Sequence, residues 1–198
     1  MSVGELVFSP TAPLSDASDA EHDLVARLAA ADPSAVGAVY DEHHRAVRAF
    51  ASRLVGDAAA AEDLVHEVFV ALPRVMRNYR FESSLRTFLI SIAVNHARHH
   101  VRAATRRRAA IGRLALEPEG NVADPEQLQR RKELASLLTR ALDTLPLEQR
   151  VTFVLCEVED RTSREVAEIT GVPEGTVRTR LHHAKKKLRE ELSQRGVE

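Results

Sequence analysis

Long apolar runs, paired cysteines, tryptophan and an excess of charge are all missing from this sequence. The longest apolar stretches, such as Val68–Leu72, fall far short of the roughly 20 residues that span a bilayer. The amino terminus has no basic-then-apolar signal, so the expectation is a cytoplasmic chain without membrane insertion. Cys156 stands alone, which excludes an internal disulfide and leaves a thiolate zinc site without a second sulfur. Aromatic residues make up 4%, with no Trp and two Tyr, and Gly and Pro number eight each. That composition favours helices over a sheet sandwich. The 28 Lys and Arg nearly balance the 29 Asp and Glu, giving a formal charge of −1, so any attraction to nucleic acid must come from local patches.

The 198 residues allow one large domain or two small ones. Residues 1–20 hold Pro10, Pro13, Ser15 and Ser18 with acids but no bases, the composition of a disordered leader. From Leu24 the pattern becomes helical. Val36, Val39, Tyr40, His43, Val47, Phe50 and Leu54 form one stripe that Gly56 closes. A second stripe runs through Leu64, Val65, Val68, Phe69, Leu72, Val75 and Met76, with Pro73 expected to bend or end its helix. Ser83 and Ser84 can cap a third helix over 85–103, apolar on two sides and therefore packed between neighbours. After Arg108 the periodicity fades through Glu117, Pro118, Gly120, Asp124 and Pro125, which reads as a solvated linker.

The second half resumes with Leu128, Leu134, Leu137, Leu138, Ala141 and Leu142, then restarts at Pro146 with Val151, Val154, Leu155 and Val158 as a buried face. Thr162–Glu165 fits the capping box, in which hydroxyl and carboxylate satisfy reciprocal backbone amides. Gly171 supplies a turn and Pro173 a new start. Short helix, turn and longer helix describe a helix-turn-helix. At about 100° per residue, Val177, Leu181, Ala184 and Leu188 make one narrow stripe, leaving Arg178, Thr179, His182, His183, Lys186 and Arg189 on the free surface. Arg178 to Arg189 contains six Lys or Arg and no acid, which suits phosphate neutralisation, with base edges in reach of the first turns. A solvated basic face is the competing reading. Arg98, Arg102 and Arg106–Arg108 form a second acid-free patch, and the aromatic loop Asn78–Ser83 just upstream has the chemistry to stack unpaired bases, or only to anchor itself to the core.

Chemistry of other kinds finds little support. His96 and His100 are spaced i, i+4, but no acid is an evident third ligand, and His66-Glu67 begins the metalloprotease pattern H-E-x-x-H only for Val70 to occupy its second His position. No nucleotide loop or triad is present, so neither an enzyme nor a cofactor or metal is expected. A helix-turn-helix regulator acting on duplex DNA alone, or an interaction module without DNA binding, remains open on these residues.

Several motifs in order resemble bacterial RNA polymerase sigma factors of the extracytoplasmic-function (ECF) type, within the sigma-70 family. Asp57 and Ala61-Glu62-Asp63-Leu64-Val65-His66-Glu67-Val68-Phe69 are similar to region 2.2. Tyr79-Arg80 through Leu89, and Ile92–Asn95 through Arg98, are similar to regions 2.3 and 2.4. Leu145-Pro146 onward through Gly175–Leu181 is similar to region 4. The resemblance implies an all-α fold of two small helical domains joined by a flexible linker, the second a helix-turn-helix. Their bounds would be 21–108 for region 2, 109–127 for the linker and 128–198 for region 4.

The implied function is binding core RNA polymerase, directing it to promoters and assisting their melting, in response to a stress or signal and under an anti-sigma factor. Asp63, His66 and Glu67 would dock on the β′ clamp helices, with the β subunit a further contact. Asn78, Tyr79, Arg80, Phe81, Ser83 and Ser84 would capture an unpaired base of the minus-ten element, and Asn95, Arg98 and Arg102 would lie along promoter DNA. Arg178, Thr179, His182, His183 and Lys186 would face the minus-thirty-five element. The chain departs from the family pattern at Phe81, where Gly is usual, at His66 (often Gln), at Phe88 (usually Trp) and at His183 (frequently Arg).

Overall fold

The computed structural model describes residues 19–81, 83–114 and 136–194. Most of the expected leader, and the expected linker beyond Leu114 together with Leu128 and Leu134, lie outside the described residues. Among the described residues all regular structure is helical.

Local chemistry sets the ends of the helices. The first helix, α1 (Asp19–Ala29), stops where Ala31 takes φ 58, and Asp32 then caps α2 (Pro33–Val55) by accepting from the Ser34 N–H at 2.9 Å. Gly56 ends α2 in the left-handed region at φ 69, its N–H returned to the Ser52 carbonyl. Asp57 caps α3 (Ala58–Met76) through the Ala60 N–H at 2.8 Å. Pro73 does not end α3, which runs on to Met76; its missing N–H costs the helix only the bond to the Phe69 carbonyl. Ser84 caps α4 (Leu85–Leu114), accepting from the Thr87 N–H at 3.2 Å. This helix continues past Arg108 into what the sequence suggests is linker.

The first four helices form a bundle in which α4 packs against both α2 and α3, and α1 against α3. Phe50, Leu54, Leu64, Val68, Leu72, Leu89 and Ile92 are buried in its core. The two apolar sides of α4 thus have the two neighbours the pattern requires. Tyr40 departs from the α2 stripe: it is 41% exposed, its ring stacked on His44 at 4.8 Å and edge-on to Phe69.

The second group holds α5 (described over 136–142), α6 (Leu147–Phe153) continued by a π-helical turn at Val154–Val158, α7 (Ser163–Thr170) and α8 (Glu174–Gln194). Thr162 and Glu165 make the reciprocal capping box at the start of α7, and Gly171 turns the chain at φ 66. Leu142, Val151, Leu155, Val166, Ile169, Val177, Ala184 and Leu188 are buried in this group, in a core continuous with that of the first four helices. The groups meet where α4 packs on α6 and α7. They meet so closely at Gly56 that a Cβ there would lie 2.5 Å from Thr139 Cγ2.

Candidate functional site

Three surfaces hold the residues singled out by the sequence. On α3, Asp63 and His66 are exposed and Glu67 is half-buried. Glu67 is not free: His96 donates from Nδ1 to its Oε2 at 3.2 Å, and His100 Nε2 lies 3.1 Å from the same oxygen. The structure thereby supplies the acid that the His96/His100 pair lacks in the sequence. No group of three His, Cys, Asp or Glu side chains among the described residues is disposed to hold a metal. Burial pushes the Glu67 carboxyl up, yet the His100 and His96 contacts outweigh it and leave it below the usual glutamate range. Val70, absent from the sequence expectation, is 66% exposed. With Asp63, His66 and Glu67 it completes an i, i+3, i+4, i+7 face, acidic with an exposed valine at its carboxyl-terminal end. An apolar residue at that spacing from the acids was the available signal.

The loop between α3 and α4 is closed by its own aromatics. The Tyr79 hydroxyl donates to the Ser83 carbonyl at 2.5 Å, and its ring centroid lies 5.0 Å from both Phe81 and Phe88. Burial raises the Tyr79 pKa, helped by the Glu21 carboxylate. Phe81 sits at φ 57 in the left-handed region, where glycine is unstrained, and His22 of α1 lies against its ring at 4.4 Å. Tyr79 and Ser84 therefore have structural duties, whereas Asn78 and Arg80 are exposed.

Asn95, Arg98 and Arg102 are exposed on α4 and line one wall of a cleft of about 960 Å³ whose other wall includes Asp143, Pro146 and Glu148. Arg98 donates to Glu148 across it at 2.8 Å. Farther along, Arg107 donates to Asp57 at 3.1 Å, and Arg108 holds Asp143 through Nε at 2.7 Å. Asp143 also accepts from Thr105 at 3.0 Å and from Arg150 at 2.5 Å. Arg150, fully buried, donates to the Val55 carbonyl at 3.3 Å, while its Nε has no partner. Burial lowers the Arg150 pKa and pushes that of Asp143 up, but the two guanidinium groups leave Asp143 below the ordinary aspartate range.

On α8, Arg178, Thr179, His182, His183 and Lys186 are all exposed, as the helical geometry predicts. Two other cations of this helix are committed to the fold. Lys185 pairs with Glu157 at 2.8 Å, and Lys187 donates to the Thr144 carbonyl at 2.6 Å. Thr179 returns its hydroxyl to the Gly175 carbonyl and Arg178 pairs with Glu174, both within the helix.

Five carboxylates among the described residues lie below their ordinary values: Asp32, Asp57, Glu67, Asp143 and Glu165. Asp57 is held down first by the Ala60 N–H and Glu165 first by the Thr162 N–H, alongside Asp143. A depressed folded-state pKa contributes stability that is complete above the unfolded value, about 4, and lost as pH falls through the folded one. Denaturant titrations should therefore show declining stability below about pH 4, and Asp57→Asn should shrink that decline. Unchanged stability at pH 3 contradicts this account.

Residues 39–107 match the family described as Sigma-70 region 2, and residues 135–188 that described as Sigma-70, region 4. The ECF RNA polymerase sigma-E factor of Escherichia coli (strain K12) is 30% identical over 175 residues, covering 83% of this chain and 90% of the relative. The ECF RNA polymerase sigma factor SigE of Mycolicibacterium smegmatis is 32% identical over 165 residues, covering 79% of this chain and 61% of that one. Among solved structures, CnrH in complex with the cytosolic domain of CnrY is similar at 25% identity and a TM-score of 0.61, covering 89% of this chain and 99% of that one. The sigma factor RpoE in complex with the anti-sigma factor NepR from Bartonella quintana is similar at 25% identity and a TM-score of 0.53, over 76% of this chain and 91% of that one.

Proposed function

The chain belongs to the sigma-70 family as an ECF sigma factor, and from that we propose that its three surfaces divide the work of promoter recognition. As a sigma factor it binds core RNA polymerase and promoter DNA, directs the polymerase to specific promoters and assists their melting. The α3 face, Asp63, His66 and Glu67 with Val70 at its carboxyl-terminal end, docks on the β′ clamp helices, and the β subunit supplies a further contact. Asn78, Arg80 and Phe81 engage the minus-ten element, in a loop that Tyr79, Ser83 and Ser84 hold in place. Asn95, Arg98 and Arg102 follow the adjacent DNA. Arg178, Thr179, His182, His183 and Lys186 of α8 read the minus-thirty-five element in the major groove.

Residues 21–108 and 128–198 act as the two modules. Weak contacts by each raise the effective concentration of the other, so modest basic patches suffice on a nearly neutral protein. The chain makes and breaks no bond; nucleotidyl transfer belongs to the polymerase. No helix among the described residues is long and apolar enough to cross a membrane, and the protein works in the cytoplasm. The two solved relatives bound to CnrY and NepR support control by an anti-sigma factor.

The observation that carries this reading is one chain presenting, in order, an exposed acid-and-valine face, an aromatic loop leading into a basic helix, and a helix-turn-helix with its basic face to solvent. Fluorescence anisotropy with core polymerase tests it. Wild type should bind, and Asp63→Ala/Val70→Ala should bind at least tenfold more weakly, about 1.4 kcal/mol. Glu67 is spared because its carboxylate also holds α4. Absence of wild-type binding, with duplex DNA binding intact, would favour a regulator that acts without polymerase.

A further inference from the structure

The exposed side of α3 does not stop at Val70. Arg74 and Arg77 are exposed further along, the first in the last turn and the second at the carboxyl-terminal cap of a helix that stays intact through Pro73. At about 100° per residue, Asp63, Glu67, Val70, Arg74 and Arg77 fall within an arc of about 80°, and at about 1.5 Å per residue they span about 21 Å. One stripe thus carries two acids, then Val70, the most exposed of the large apolar side chains among the described residues, and then two guanidinium groups.

We infer that the docking face of α3 runs from Asp63 to Arg77 and is dipolar, and that it takes a polymerase helix of opposite charge order, with bases beside Asp63 and Glu67 and acids beside Arg74 and Arg77. The inference rests on the reading of α3 as the polymerase-docking face, and adds to it two residues and the charge order of the partner.

The fold itself gains little from this order. Asp63 and Glu67 are like charges four apart, and Arg74 and Arg77 like charges three apart, spacings at which neighbours on a helix repel. The helix dipole favours acids only in the first turn, which holds none after the Asp57 cap, and Asp63 and Glu67 lie well inside α3. It does favour Arg74, but not a second cation crowded against the first. Internal partners do not account for the charges either. His96 and His100 hold one oxygen of Glu67, whereas Asp63, Arg74 and Arg77 make no ion pair among the described residues. Arg27, Arg48, Arg53 and Arg98 of the same bundle all do. A DNA backbone laid along the stripe would bring its phosphates against Asp63 and Glu67. A helix suits it, because its own side chains recur on one face every three or four residues and can present both signs of charge about four turns apart. Val70 lies between as the apolar contact, and the charges at the two ends fix register and direction.

The test is fluorescence anisotropy of the full chain with core polymerase, comparing wild type with Arg74→Lys/Arg77→Lys, Arg74→Gln/Arg77→Gln and Arg74→Glu/Arg77→Glu. Thermal melting by circular dichroism confirms that each variant is folded. The lysine pair should bind like wild type, the glutamine pair about threefold more weakly and the glutamate pair at least about tenfold more weakly, because neutralisation only removes attraction while reversal repels the partner's acids. These differences should shrink as salt is raised. Equal binding by all four proteins, or an equal loss for the glutamine and glutamate pairs, overturns the inference and leaves docking by the acidic end standing. Unchanged polymerase binding with weaker binding of a single-stranded minus-ten oligonucleotide places the two arginines on DNA and overturns it as well. A wild type that does not bind polymerase sinks the proposed docking face itself, and the inference with it.

Discussion

Phe50→Ala should lower the unfolding free energy of the α1–α4 bundle by about 3–5 kcal/mol, the cost of deleting a buried aromatic side chain and leaving a cavity. Phe50 is fully buried on α2, the helix that packs against both α3 and α4. A bundle of this size has on the order of 5–15 kcal/mol to lose, so the variant should be partly unfolded at physiological temperature. Binding to polymerase and to the minus-ten strand should fall together with the folded fraction. Val166, Ile169, Val177 and Leu188 are buried among α6, α7 and α8, away from Phe50 in sequence, so on the proposed division into modules α8 should keep its affinity for duplex DNA bearing the minus-thirty-five element. Urea unfolding followed by circular dichroism gives the stability change, and anisotropy with each ligand gives the partition. Equal loss of both DNA activities would mean that the halves fold as one cooperative unit, contrary to the proposed modules.

Arg178→Ala and Lys186→Ala should differ in kind. Arg178 lies in the early turns of α8 with a 69% exposed side chain, its pair with Glu174 open to solvent and easily exchanged for a base contact. A bidentate arginine contact with guanine discriminates by about 1–3 kcal/mol. Arg178→Ala should therefore weaken the cognate duplex by that amount and relax preference at one base pair, leaving other sequences nearly unaffected. Lys186 lies two turns further along, where a cation meets backbone. Its loss should weaken all duplexes alike and reduce the salt slope by about 0.9. Competition titrations against single-base variants, repeated over a range of salt, distinguish the two. Uniform weakening by Arg178→Ala would place that side chain on phosphate.

Local signals made much of the fold legible. Gly56 and Gly171 stop helices because the left-handed turn costs a glycine little. Ser84 and Thr162 start them because a short oxygen-bearing side chain can meet an orphan amide, whereas the Asp57 cap became visible only in the structure. The outward set on α8 follows from helical geometry, since its neighbours take up only one stripe. The roles assigned to the α3 face and the aromatic loop came instead from the family resemblance, because composition and spacing there also fit a loop anchored to its own core. The structure anchors Tyr79 to the Ser83 carbonyl and leaves Arg80 exposed.

By itself, then, the sequence determined the helices, their caps, the helix-turn-helix and the basic face it presents, all of them set by interactions within a few residues. The tertiary structure alone decided which charges are free. Glu67 meets His96 across 29 positions, Arg98 meets Glu148 across 50, and Arg150 meets the Val55 carbonyl across 95. Long charged side chains reach several partners with nearly equal energy, and only the packing of α4 between its neighbours selects among them.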